Sequence, residues 1–94
     1  MIYTTKRLAN IFKALSNERR MLIIKLLISK QKSVSKVSEK LKVSFKAASF
    51  HLLKLEREGI VEKQRKGKFS YYKLTNSFKG SGIFRQIKQS KYCS

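Results

Sequence analysis

The 94-residue chain contains no proline, no tryptophan and no aspartate, and it has one cysteine and one histidine. With a single cysteine, Cys93, an internal disulfide bond is excluded, so we expect a cytoplasmic protein in a reducing compartment. These residues provide neither a catalytic triad nor a cluster of metal ligands, and Gly80-Ser81-Gly82 is too short for a phosphate-binding glycine loop. We therefore predict that the protein is not an enzyme and that it needs no cofactor.

Long apolar segments are also missing. The longest apolar run, Met21–Ile28, is interrupted by Lys25 and is far shorter than the ~20 residues that span a bilayer. The first residues, MIYTTKRLANIF, lack the apolar core and cleavage site of a signal peptide. We therefore expect no membrane partner, and we interpret the apolar run as a buried helix.

Acidic residues are scarce, whereas basic residues are abundant. The 23 lysines and arginines outnumber 5 acidic residues, which gives a formal net charge of +18. This charge indicates a polyanionic partner. Nucleic acid is the first candidate, and an anionic membrane surface is the second. Biased codon usage can enrich a chain in lysine, but it does not explain the depletion of acids. With 41% hydrophobic residues, the chain is expected to fold as one small domain over residues 1–94.

The spacing of apolar residues predicts two helices in the first third of the chain. The first covers residues 5–15, and the second ends near Lys30. Ser16 and Asn17 are both suited to cap the second helix, because their side-chain oxygens can accept a backbone N–H.

A helix-turn-helix is predicted over about residues 35–58. We expect a short strand to begin at Val34 and Ser35 to cap a third helix that ends at residue 41. After a tight turn, Ser44 caps a fourth helix. That helix ends at Glu58-Gly59, since glycine accepts the left-handed conformation of a helix stop.

The hydrophobic period changes from helical to alternating after residue 59. Residues 60–64 and 69–74 alternate around the turn Arg65-Lys66-Gly67-Lys68, which predicts a β-hairpin within residues 60–74. A weaker helical pattern over about residues 77–91 predicts a C-terminal helix. The expected fold class is mainly α (α+β): a winged helix-turn-helix with a two-stranded wing and a C-terminal helix.

A helical wheel divides the fourth helix into an inner and an outer face. The residues expected to pack on the preceding helices are Phe45, Ala48, Leu52 and Leu55. The residues on the outer face are Lys46, Phe50, Leu53, Lys54 and Arg57. Since the second helix of a helix-turn-helix enters the major groove by its N-terminal part, we expect several of its side chains to contact DNA. The candidates are Ser44, Phe45, Lys46, Ser49, Phe50, His51 and Lys54.

Each of these candidates has a plainer interpretation. Lys46 can donate to guanine O6 or N7 or to a phosphate, but it can also be a solvated surface lysine. Phe50 can contact thymine methyl groups, or it can pack with Leu53 on a neighbouring helix. His51 can contact the DNA backbone, or it can be a structural hydrogen-bonding residue.

Basic residues crowd the predicted hairpin and are interleaved with aromatic ones. Arg65, Lys66 and Lys68 surround its tip, where they can contact phosphates or an adjacent minor groove. The alternative is that the tip is only a solvated basic loop.

Taken together, the motifs of residues 8–74 resemble those of the ArsR-type winged helix-turn-helix transcriptional regulators. FKALSNERRMLIIKLL is similar to the family's entry into its second helix. Asn17 and Arg20 match that motif, although Glu18 stands where proline is usual. LKVSFKAASFHLLKLEREGIV is similar to the family's recognition motif, and EKQRKGKFSYYKL resembles its wing. The recognition-motif positions that match are Ser44, Ser49, His51, Leu52, Leu55 and Gly59.

The resemblance implies a homodimer that binds a two-fold symmetric operator in double-stranded DNA and represses until an effector relieves repression. It implies that the subunits join mainly through the first and last helices. The candidate dimerisation residues are Leu8, Ile11, Phe12, Ile83, Phe84 and Ile87.

The chain departs from the metal-sensing members of that family. Where those members carry cysteines in the third helix, this chain has Ser33, Ser35 and Ser38, and hydroxyls are poor ligands for soft metals. Residues 77–94 contain no acid and no histidine for the family's other metal site. We therefore predict a sequence-specific DNA-binding repressor that does not sense metals. The alternative is an architectural or sequence-tolerant nucleic-acid-binding protein.

Overall fold

The computed structural model describes residues 4–89, which form six helices and three strands. In chain order these are α1 (Thr5–Leu15), α2 (Glu18–Ser29), β1 (Lys32–Ser33), α3 (Val34–Leu41), α4 (Phe45–Arg57), β2 (Val61–Lys66), β3 (Phe69–Leu74), α5 (Asn76–Lys79) and α6 (Gly82–Gln89). The strands form one antiparallel sheet with β3 between β1 and β2. The arrangement of α3, α4 and the β2–β3 hairpin is a winged helix-turn-helix, which confirms the predicted fold class.

Oxygen-bearing side chains cap the N-termini of the first five helices. Asn17, rather than Ser16, caps α2 by accepting from the Arg20 backbone N–H at 3.1 Å, and Ser44 caps α4 by accepting from Ala47 at 3.0 Å. Each such cap satisfies a backbone N–H that has no partner within its helix.

The start of α3 differs from the prediction. Ser33, not Ser35, caps this helix by accepting from the Lys36 backbone N–H at 3.1 Å. Val34 therefore opens the helix instead of starting a strand, and β1 lies before it. The shift places the Val34 side chain in the hydrophobic core, where only 9% of it is exposed.

Left-handed backbone conformations shape the ends of α4 and the hairpin. Gly59 (φ 72°) follows the end of α4, as predicted, and Gly67 (φ 61°) allows a two-residue hairpin loop. The predicted four-residue turn at Arg65–Lys68 is wrong, because Arg65 and Lys66 pair with β3 and the strands extend to residue 66.

The predicted single helix over residues 77–91 is also wrong. Two short helices, α5 and α6, replace it, with Gly80 and Ser81 between them. The Ser81 hydroxyl donates to the Phe78 carbonyl at 2.6 Å and accepts from the Phe84 backbone N–H at 3.2 Å, so it ends one helix and begins the next. The predicted end of the helix at residues 90–91, and Cys93, lie outside the described residues.

Every helix contributes apolar residues to the core from its inner face, while the outer faces of the amphipathic helices are left out of it. Ile23 and Ile24 of α2 are fully buried, as are Leu52 and Leu55 of α4. These contacts fix α4 against α2 and leave its other face in solvent. Within residues 4–89, no helix combines the length and apolar character needed to cross a membrane.

Candidate nucleic-acid interface

The outer face of α4 carries exposed side chains that the helical wheel predicted for it. Lys46 is exposed, Phe50 is 53% exposed and Leu53 is 47% exposed. About half of each of these two residues is therefore open to solvent, which favours contact with a partner over packing on a neighbouring helix of the same protomer. Large apolar side chains on an otherwise basic surface are available to contact a partner.

Phe45 does not join the inner face, as the helical wheel had suggested. It is 57% exposed, whereas Ala48, Leu52 and Leu55 are completely buried. Phe45 lies in the first turn of α4, beyond the part of the helix that packs on the core. Its ring instead lines an open groove beside the hairpin.

That groove, about 320 Å³ in volume, lies between the N-terminal half of α4 and the hairpin, and we call it the wing groove. Its lining residues are Ser33, Val34, Ser35, Phe45, Ser49, Lys63, Lys68, Phe69, Ser70 and Tyr72. Helix α4 thus contributes a hydroxyl and a ring, and the hairpin contributes two ammonium groups, a hydroxyl and two further rings. Helix and hairpin side chains face the same space, so one ligand can contact both.

The basic residues of the hairpin divide between the two faces of the sheet. The register pairs Lys63 with Tyr72 and Arg65 with Ser70, so Lys63 and Arg65 lie on one face. Lys66 lies on the opposite face, where its ammonium is 5.9 Å from the Tyr71 ring centroid. Of the three predicted tip residues, Lys68 lines the wing groove, Arg65 shares the face of Lys63, and Lys66 points away from the groove.

His51 is held in a structural hydrogen bond. Its Nδ1 lies 3.3 Å from the Nη1 of Arg20, and the same guanidinium donates through Nε to the carbonyl of Ala14. Since a guanidinium can only donate, Nδ1 is the acceptor and the ring proton is on Nε2. Burial, followed by the charges of Arg20 and Arg19, lowers the pKa of His51, so the ring is neutral near pH 7.

Sequence reasoning missed two arginines that hold α4 in place. Arg20 joins the end of α1 to His51 on α4. Arg7 donates through Nη2 to the carbonyl of Glu58 at 3.1 Å, which satisfies a free carbonyl at the C-terminus of α4. The family-like motif pointed to Arg20 but not to its partners, and no sequence signal pointed to Arg7.

On the side of α4 opposite the wing groove, the structure has a second opening, which we call the α1–α4 cleft. It has a volume of about 240 Å³. Its lining residues are Asn10, Lys13, Ala14, Arg20, Lys54, Arg57 and Glu58. Lys54, a predicted DNA contact, lies here rather than in the wing groove, with its ammonium 5.3 Å from the Phe50 ring centroid.

The candidate dimerisation residues differ in exposure. Ile11 and Ile87 are 3% and 4% exposed and belong to the protomer's own core. Phe12 is 53% exposed, and Leu8 and Ile83 are half-buried. Phe84 is also half-buried and packs edge-on against Phe78, with ring centroids 5.7 Å apart.

Comparisons with known proteins match this geometry. A family model described as bacterial regulatory protein, arsR family, matches residues 17–63. The transcriptional activator HlyU of Vibrio cholerae is 34% identical over 67 residues, which span 71% of this chain and 62% of HlyU, less than two thirds of its length. The transcriptional repressor SdpR of Bacillus subtilis is 32% identical over 68 residues, which span 72% of this chain and 76% of SdpR.

Solved structures give the same result. The homodimeric winged helix-turn-helix DNA-binding domain of Mb0332 from Mycobacterium bovis, a possible ArsR-family regulator, superposes with a TM-score of 0.79 at 28% identity. That superposition covers 87% of this chain and 77% of the other. The structure of HlyU from Vibrio cholerae superposes with a TM-score of 0.76 at 29% identity over 94% of this chain and 91% of HlyU.

Proposed function

Since this chain belongs to the ArsR family of bacterial regulatory proteins, we propose that it is a homodimeric repressor that binds a two-fold symmetric operator without sensing metals. Membership of the family makes it a DNA-binding transcriptional regulator with a winged helix-turn-helix, and not an enzyme. The dimer, the direction of regulation and the absence of metal sensing are the proposed parts.

The observation that carries the proposal is the wing groove. Ser49 and Phe45 of α4 face the same space as Lys63 and Lys68 of the hairpin. A helix in the major groove reads base edges, while a basic hairpin beside it neutralises phosphates. In this arrangement, α4 provides the sequence preference and the hairpin provides affinity for any duplex.

Within α4, we assign different tasks to individual residues. Ser44 caps the helix near a phosphate, and exposed Lys46 reaches a guanine or a phosphate. Phe50, at 53% exposure, is placed to contact thymine methyl groups. His51 keeps its hydrogen bond to Arg20, so any contact that it makes with the DNA backbone is through Nε2.

The homodimer follows from the relatives and from the exposed apolar surface. The solved Mb0332 domain is homodimeric. Phe12 on α1 is exposed, and Leu8, Ile83 and Phe84 are each partly exposed, so a second copy can contact them. Such a dimer would place two copies of α4 in successive major grooves about 34–36 Å apart.

Repression and the absence of metal sensing rest on separate arguments. The relatives include the repressor SdpR as well as the activator HlyU, and repression is the direction that we propose. At the positions of the family's metal-binding cysteines, Ser33 caps α3 and the Ser38 hydroxyl donates to the carbonyl of Ser35 at 2.9 Å. Within residues 4–89, no three His, Cys, Asp or Glu side chains are grouped to hold a metal.

The test is selection of bound sequences from a random duplex pool, followed by competition with random DNA. We expect a palindromic consensus that is bound about 10³-fold or more tightly than random duplex. The net charge of +18 favours the alternative, a sequence-tolerant binder. Selection without a consensus would support that alternative and overturn the proposal. Transcription from a template that carries the consensus then separates a repressor from an activator.

A further inference from the structure

The outer face of α4 is bordered by open space along both of its edges. Ser49 lines the wing groove, and Lys54 lines the α1–α4 cleft. These residues are five positions apart, so with 3.6 residues per turn their side chains point about 140° apart around the helix. The exposed residues Lys46, Phe50 and Leu53 lie between them. The two openings therefore flank the surface proposed to enter the major groove.

The α1–α4 cleft is strongly cationic. Lys13, Arg20, Lys54 and Arg57 line it against a single acid, Glu58, which leaves an excess of three positive charges. Arg20 is occupied by the Ala14 carbonyl and by His51. Lys13 and Arg57 are exposed. Neither belongs to the ion pair described within residues 4–89, which joins Lys36 to Glu39. Two cationic head groups at the mouth of the cleft are thus available to an anion.

The dimensions of the DNA major groove indicate that a backbone phosphate can reach the α1–α4 cleft. The major groove is about 12 Å wide and is bounded by a phosphate backbone on each side. A helix with its side chains is about 10–12 Å across, so it fills the groove and presents one edge to each backbone. In the proposed complex, the wing groove, which Lys63 and Lys68 line, faces one of these backbones. The α1–α4 cleft then faces the other.

We propose that the α1–α4 cleft binds backbone phosphates of the strand opposite the one that the hairpin contacts, through Lys13, Lys54 and Arg57. The inference rests on the proposed insertion of α4 into the major groove. The guanidinium of Arg57 can bind two phosphate oxygens at once, and the lysines act as point charges. Asn10 adds a neutral side-chain donor to the lining. Helix α1 thereby contributes to DNA binding in addition to its place in the fold.

The experiment compares the Lys13→Ala/Arg57→Ala variant with the parent protein. Kd for the selected operator is measured between about 50 and 200 mM salt, where each phosphate contact contributes about 0.9 to the slope of log K against log salt. Because the proposed dimer carries both substitutions in each protomer and so loses four phosphate contacts, we expect the slope of the variant to be shallower by about 3.6. The preference for operator over random duplex should be unchanged, because neither residue is placed to contact a base.

A matched control removes two charges elsewhere. Lys30→Ala/Lys79→Ala changes the net charge equally, at exposed positions that line neither of the two openings beside α4. Its slope should match that of the parent. Equal slopes for the control and the Lys13/Arg57 variant would overturn the inference, as would a slope of the Lys13/Arg57 variant unchanged from the parent. Melting curves for all three proteins establish that each is folded.

Phosphate ethylation interference locates the contacts on the DNA. For the parent, ethylation should interfere on both strands of each half-site. For the Lys13→Ala/Arg57→Ala variant, interference should disappear from one strand and persist on the strand contacted by the hairpin; loss on both strands would contradict the assignment. If the parent does not distinguish operator from random duplex, the proposed function fails. If it does and the slope does not change, only the cleft assignment fails.

Discussion

At the scale of single residues, the Arg20–His51 pair shows how a family-like motif can serve the scaffold. His51 lies on the recognition helix, yet its Nδ1 accepts from Arg20, which also binds the last turn of α1. The ring is half-buried and lies 5.9 Å, centroid to centroid, from the ring of Phe50. The Arg20 side chain thus links α2, on which it lies, to α1 and α4, and it restricts how α4 can rotate.

Protonation of His51 should weaken this link. Its pKa is lowered in the folded protein, by burial first and then by Arg20 and Arg19, so the unfolded chain binds the proton more readily. The stabilisation is fully present above about pH 6.5, the unperturbed pKa, and is lost as the pH falls toward the lower folded pKa. We expect the free energy of unfolding, measured in urea, to decrease as the pH falls from about 7 to about 5.

His51→Gln is the matched variant, because the glutamine amide oxygen can accept from Arg20 but does not titrate in this range. Its unfolding free energy should depend less on pH between those two values than that of the parent. Equal pH dependence in the two proteins would mean that the Arg20–His51 contact is not the titrating element.

At the scale of secondary-structure elements, local signals in the sequence predicted most of the boundaries. Ser44 and Gly59 delimit α4 as expected, since capping and left-handed stops depend on residues close in the chain. The start of α3 was misplaced by two residues because Ser33 and Ser35 are equally good caps, and the burial of Val34 decides between them. Tertiary packing selects among alternatives that the local sequence leaves equal.

The site was predicted less completely than the fold. The helical wheel identified the exposed residues Lys46 and Phe50 correctly, because helical periodicity determines which side faces away from the core. It placed Phe45 wrongly, since the first turn of α4 extends past the core and beside the hairpin. The α1–α4 cleft was not foreseen, as Lys13 and Arg57 are far apart in sequence and only the packing of α1 brings them together.

The hairpin provides a prediction at this scale, because its two faces carry different lysines. Lys63→Ala/Lys68→Ala removes the two ammonium groups that line the wing groove. We expect weaker binding to operator and random duplex alike, because we propose that these groups contact phosphates rather than bases. The salt slope should be shallower by about 3.6, since a dimer loses four such contacts. The measurement is a set of gel-shift titrations at several salt concentrations.

Lys66→Ala is the control for the hairpin, since Lys66 lies on the opposite face of the sheet near Tyr71. It should weaken binding much less than the loss of either Lys63 or Lys68. A Lys66 variant that loses as much affinity as the single Lys63 or Lys68 variants would show that the outer face of the hairpin, and not the wing groove, meets the duplex.

At the scale of the whole molecule, charge and fold act together. A net charge of +18 attracts any polyanion, and by itself it selects no sequence. The fold concentrates part of that charge on both sides of α4, through Lys63 and Lys68 in the wing groove and Lys13 and Arg57 in the α1–α4 cleft. In the proposed complex, the exposed side chains between the two openings face the bases.

The central claim is that α4 and the hairpin contact the same half-site, and NMR titration of the isotope-labelled protein with an operator duplex tests it most directly. Amide resonances of Lys46, Ser49, Lys63 and Lys68 should shift together at the same DNA concentrations, while that of Leu22, on the surface between α2 and α3, should stay in place. Shifts confined to the hairpin, with those of α4 unchanged, would contradict the account.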